Sequence, residues 1–259
     1  PDGSGSHTIY ANYEIDTYTV TIDESDVGIT NSTGAGDYDY NDSVDITATL
    51  KDGYSFTGWT VTSGTVSFNN ANSINTSFTM PTSDVTIKPT SDPNDITITL
   101  TRNSSNGGTV SGGGTHTVDT TASITASASS GWRFNSWAVT SGSANLSNST
   151  STSTDVTGFT DDVTIEAIFE RQLIINSYAD KGSVSPSLSG DGYYTPGTNA
   201  PLSTNAQTGY SYTGWGTTTG SDNISINMTN DYSMPDGSGS HTIYANYEID
   251  TYTVTIDES

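Results

Sequence analysis

Apolar residues recur at every second position through most of this chain, a period of two and not 3.6. The run "YTVTI" from Tyr18 alternates, "SVDITATL" puts Val44, Ile46, Ala48 and Leu50 on one face, and "NTSFTM" and "DVTI" continue the pattern. Thr, Val, Ile and Tyr suit a pleated, half-buried surface. No stretch offers an amphipathic helix, and "SGSAN", "NGG", "SGGG", "SGDG" and "TSGT" mark turns between the runs. The pattern predicts an all-β chain.

The runs repeat. "GYSFTGW", "GWRFNSW" and "GYSYTGW" end at Trp59, Trp137 and Trp215, at intervals of 78 and 78. Upstream, "YTVTI" from Tyr18, "ITITL" from Ile96 and "LIINS" from Leu173 align. Downstream, "DVTIKPT", "DVTIEAIFE" and "HTIYANYE" close each unit. A longer repeat overlies these: residues 1–25 and 235–259 are the same twenty-five letters, as expected of a window on an array with a 234-residue period. Ile9, Ala11, Tyr13 and Ile15 lie at odd positions and Tyr18, Val20 and Ile22 at even ones, so the apolar face changes at Asp16 and Thr17. The expected division is a preceding module's last strand over 1–16, β modules over 17–94, 95–171 and 172–250, and a following module's first strand over 251–259. Ile9, Ala11, Tyr13, Tyr18, Val20 and Ile22 are then the strand between modules. Short joints such as Phe169 to Leu173, and a stretch from Pro89 to Pro93 stiffened by two prolines, point to an elongated rod.

Trp59, Trp137 and Trp215, with Phe56, Phe134 and Tyr212 beside them, are the expected module cores. Tyr54 and Phe56 share a face that Trp59 does not, so a bulge near Thr57 and Gly58 is needed to turn the indole inward. Tryptophans exposed for sugar stacking are the alternative. Asn41, Asp119 and Gly197 coincide when the modules are superposed on their tryptophans, and all three types tolerate positive φ, which predicts a left-handed turn residue there.

A Gly-aromatic-x-aromatic-x-Gly-Trp segment followed by "TIYANYE" resembles the internalin B-type repeat and its divergent relatives. The likeness covers all three modules; the second has Asn135 and Ser136 where the others have Thr-Gly. It implies small β-rich, β-grasp-like modules strung along secreted or surface-anchored microbial proteins. The family's short helix has only the polar "SFNNANSINTSFTM" in its place, so an all-β sandwich stands beside the β-grasp as an expectation.

Charge narrows the partners. A formal net charge of −23 with six Lys plus Arg leaves no basic cluster for nucleic acid or anionic lipid. There is no cysteine, and no run of eighteen apolar residues for a membrane span. Asp37, Asp39 and Asp42 in "GDYDYND" are oxygen donors of the kind calcium takes. Asp37 and Asp39 align with Thr115 and Thr117 and with Tyr193 and Thr195, so the competing reading is a solvent-facing strand edge, and no cofactor is expected. No nucleophile, base and orienting acid recur together, which argues against an enzyme. The expectation is an extracellular stalk or filament of a surface adhesin whose main partners are neighbouring modules. Two alternatives remain: a glycan- or protein-binding module using Tyr10, Tyr38, Tyr193 and Tyr194, or a fibre of separate subunits joined by strand donation.

Overall fold

A strand with one apolar face must hide it against something, and in the first repeat two sheets meet to do so. The computed structural model describes residues 8–182, 184–219, 224 and 228–257. They fall into two units, residues 1–95 and residues 96–259. The first contains β1 (Thr17–Ile22), β2 (Ile29–Thr33), β3 (Gly36–Asp39), β4 (Ser43–Leu50), β5 (Tyr54–Ser63), β6 (Asn75–Thr79) and β7 (Val85–Pro93). One sheet has the order β3-β1-β7-β5 and the other β2-β4-β6. Val20, Trp59, Val85 and Ile87 of the first sheet pack with Val44, Ile46, Ala48 and Phe78 of the second. The repeat is a two-layer sandwich.

The second unit holds the other two repeats. The second repeat supplies β8 (Asp95–Arg102), β9 (Gly108–Ser111), β10 (Gly114–Thr117), β11 (Ala122–Ala128), β12 (Trp132–Ser141), β13 (Asn145–Leu146) and β14 (Ser153–Thr157). It closes on β15 (Val163–Ala179), which also opens the third repeat. There follow β16 (Gly192–Tyr194), β17 (Asn199–Ser203), β18 (Tyr210–Gly216), β19 (Thr229–Ser233) and β20 (His241–Ile249). A seven-stranded sheet runs β10-β8-β15-β20-β18, with β12 and β16 also on β15. No helix occurs among the described residues, so the polar stretch of the first repeat forms loop and β6 where the family's helix was in question.

The local devices recur in each repeat. The ladder slips between Phe56 and Gly58, between Phe134 and Ser136, and between Tyr212 and Gly214. The extra residue restores the inward parity of the tryptophan that follows. Asn41, Asp119 and Gly197 have φ of 73°, 63° and 83°, the left-handed turn expected of them.

The structure places the residues of the other expectations as follows. Residues 8–16 and 251–257 are not strands, and Ile9, Ala11 and Tyr13 are exposed; Tyr18, Val20 and Ile22 lie in β1. Residues 1–7 and 258–259 lie outside the described residues. The stretch from Pro89 to Pro93 is not a linker but the second half of β7, with Pro89 opposite Trp59 and Pro93 opposite Tyr54. β1 follows β7 only as far as Ile87, so beyond it no N–H is needed on that edge. The register also moves one alignment. Val20 lies opposite Val85, Ile98 opposite Val163 and Leu173 opposite His241. Leu173 is thus the counterpart of Val20, and Arg171 takes the place of Tyr18 and Ile96. A slide of two residues keeps every side chain on its face, so the alternation alone does not detect it.

Candidate functional site at the joint between the second and third repeats

β15 is 17 residues long because the strand that closes the second repeat is already the strand that opens the third. Its first part runs antiparallel to β12 and parallel to β8, and its last part parallel to β20. At the crossover the Gln172 N–H donates to the Gly131 carbonyl at 2.8 Å. The same bond recurs as Asn94 N–H to Gly53 O at 2.8 Å and Asp250 N–H to Gly209 O at 2.9 Å. These glycines open the three tryptophan heptads, with φ of 76°, 81° and 83°. A left-handed residue there turns its carbonyl toward the passing strand, and glycine takes that conformation without Cβ strain.

The second and third repeats are fastened further by a loop. Residues 235–240 lie over Arg171, which is 6 % exposed. Its Nε donates to Gly239 O at 2.8 Å, one terminal nitrogen to Pro235 O at 2.9 Å and the other to Ser238 O at 2.9 Å. A guanidinium suits this task because its donors form a planar fork and its charge is weakly hydrated. A buried charge with fewer partners would be costly. Gly237, at φ 155°, lies flat on the guanidinium, where a Cβ would stand 3.2 Å from both terminal nitrogens. The Trp132 indole donates to Gly237 O at 3.2 Å. Asp236 accepts from the Ser104 hydroxyl at 2.7 Å and from Asn106 Nδ2 at 3.3 Å. The Ser104 bond holds its carboxyl below the usual carboxylate range; burial opposes this, and the Gly237 N–H, Asn106 and the Arg171 charge assist. On the outer face Arg133 pairs with Glu170 at 2.6 Å and covers the Tyr193 ring at 4.6 Å.

His241 stacks on Tyr232, and its Nε2 lies 2.6 Å from the Tyr232 hydroxyl. Burial, then the Arg171 charge, lowers the imidazole from its ordinary value of 6.5. A histidine whose folded pKa is depressed contributes stability present above the unfolded value and lost as pH falls from there toward the folded one. The melting temperature of the second unit is expected to fall as pH drops below the ordinary imidazole value. His241→Asn is expected to flatten that limb. Equal slopes in thermal melts of the two proteins would refute the assignment.

The other residues singled out fall as follows. Trp59 and Trp137 are each 3 % exposed and Trp215 is fully buried. Phe56, Phe134 and Tyr212 are half-buried and lie on them at centroid distances of 6.1, 5.4 and 6.2 Å. Asp37 accepts from the Thr19 hydroxyl at 2.7 Å, and Asp42 from the Asp39 N–H at 3.3 Å. No three His, Asp or Glu side chains converge among the described residues. Of the four tyrosines, Tyr10 is exposed, but Tyr38 and Tyr194 are half-buried with hydroxyls spent on Gly34 O and Gly190 O, and Tyr193 lies under Arg133. Sequence reasoning passed over Arg171 and the 235–240 loop. A cation stands where the other repeats carry Tyr18 and Ile96, but that correspondence follows from the ladder register and not from the letters.

A family model described as the divergent InlB B-repeat domain matches residues 18–94, 98–173 and 176–251. No curated protein matches the chain. Among solved structures, the Bacillus anthracis TIE protein is similar at 7 % identity and a TM-score of 0.24. The match covers 92 % of this chain and 59 % of that one.

Proposed function

Starting from the chain's membership of the divergent InlB B-repeat family, which its three matched segments establish, we propose that it is a spacer: the stalk or filament portion of a bacterial surface protein. Repeats of this family occur in bacterial surface proteins. The observation that carries the reading is β15, one unbroken strand shared by two repeats and fastened by Arg171. A joint with no slack, closed by half-buried bonds from a buried arginine, suits a part whose task is to hold a distance. No helix among the described residues is long and apolar enough to cross a membrane. The reading assigns no catalysis and no cofactor.

The partners on this reading are further repeats of the same kind. Residues 8–15 have the letters of 242–249, and 251–256 those of 17–22. In each pair one copy is a strand with an inward face and the other is exposed. The exposed copies are matched by composition and alternation to strand positions in a neighbouring repeat.

Antibodies against the chain should label intact cells that make it, and protease applied outside should abolish the label. Labelling only after lysis would sink the proposal.

A further inference from the structure

Each repeat begins and ends on strands that are adjacent and parallel. β1 pairs with β7 over Val20–Val85 to Ile22–Ile87, β8 with β15 over Ile98–Val163 to Arg102–Ala167, and β15 with β20 over Leu173–His241 to Ala179–Tyr247. Tension along the chain enters a repeat at the start of its first strand and leaves at the end of its last. Because the pair is parallel, those two points lie at opposite ends of the ladder.

We infer that the three repeats are tension-bearing modules, in which the parallel terminal strands form a clamp loaded in shear. This rests on the stalk reading for the source of the force; the clamp itself rests on the register. Pulled in shear, the strands must slide past each other, so all the ladder bonds resist together and fail within about one bond length. Peeled from one end, the same bonds break one after another, while the ends separate by about 3.3 Å per strand for each residue freed. The same bond energy spread over a longer path gives a smaller force.

Other contacts reinforce the clamp. The Thr19 N–H donates to Asp84 Oδ1 at 2.8 Å and the Thr97 N–H to Asp162 Oδ1 at 2.7 Å, extending the ladder at the same point in two repeats. In the third repeat Ser240 has the aspartate's place, and the equivalent N–H, of Gln172, goes to Gly131 O instead. The closing strands are gripped on their other side too, by the antiparallel β5, β12 and β18. β15 passes tension from one clamp into the next without slack. The paired lengths are three, five and seven residues, so the first repeat is expected to yield first.

The test is single-molecule force spectroscopy on the whole chain, which has no cysteine to compete for attachment. One protein carries Asp16→Cys with Lys88→Cys, loading β1 and β7 from opposite ends. The other carries Glu24→Cys with Lys88→Cys. Lys88 Nζ lies 2.8 Å from Ser25 Oγ, so this pair loads the same end and peels. Lys88→Cys is common to both, so any destabilisation it causes cancels in the comparison. The first pair is expected to rupture at several times the force of the second. Equal forces, or a stronger peel, would overturn the clamp whatever cell labelling shows. A chain absent from the cell surface that still shows the ratio would refute the stalk alone.

Discussion

Trp59→Ala is expected to unfold the first repeat while the second unit keeps its own transition. The indole is 3 % exposed, edge-on to Phe56 at 6.1 Å and tilted to Phe68 at 6.5 Å. Burying a tryptophan removes about 150–250 Å² from water, worth on the order of 4–6 kcal/mol as an upper bound. Truncation to alanine costs about 3–5 kcal/mol, against a whole stability of about 5–15 kcal/mol for a domain. A unit of this size lies toward the lower end of that range. Phenylalanine should separate two contributions. The Trp59 Nε1 is buried and meets no acceptor on the protein, whereas the Trp137 Nε1 donates to Ser151 O at 3.1 Å. Trp137→Phe should therefore cost more than Trp59→Phe by about 1 kcal/mol. Urea unfolding followed by circular dichroism reads both comparisons. A Trp59→Ala protein that keeps its first transition would show that the indole is not the keystone of that core.

Arg171→Ala carries the second large effect. The substitution leaves the carbonyls of Pro235, Ser238 and Gly239 without their donor. An acceptor left unpaired and shielded from water costs about 1–3 kcal/mol, and because Pro235 and Gly239 are half-buried, Ser238 is exposed and the loop can relax toward water, the total is expected near ~3 kcal/mol. Lysine should recover only part, since a point charge cannot serve three carbonyls arranged for a fork. Arg133→Ala is the control. Its pair with Glu170 has a side chain 55 % exposed on the arginine side, and exposed pairs contribute about 0–1 kcal/mol. Hydrogen exchange gives the local readout: Arg171→Ala should lose protection at Gln172. A protein that melts like the parent and keeps that protection would remove Arg171 from the joint.

What could be read from letters and what could not differ in a physical way. The aromatic heptads placed the bulge before Trp59 because parity alone demands one, and the residue types at Asn41, Asp119 and Gly197 announced a left-handed turn. The joint was harder. Arg171 bonds a loop more than sixty residues away in the chain, and nothing in "ERQL" says which carbonyls will arrive. The choice of Leu173 over Arg171 as the counterpart of Val20 was equally hidden, since both lie on the same strand face.

The clearest division lies in the duplicated word. The sequence by itself determined the alternation, and with it which residues can hide together once a strand forms. It also set the 78-residue spacing and the tryptophan at each centre. Only the tertiary structure decided where the word becomes a strand. Ile243 is fully buried and its copy Ile9 is 92 % exposed; Val20 is 1 % exposed and its copy Val254 is 84 %. A helix satisfies its backbone within its own segment, but a strand's N–H and C=O groups are met only by a neighbour. Identical letters therefore fold where β15 or β7 lies alongside and stay open where neither does.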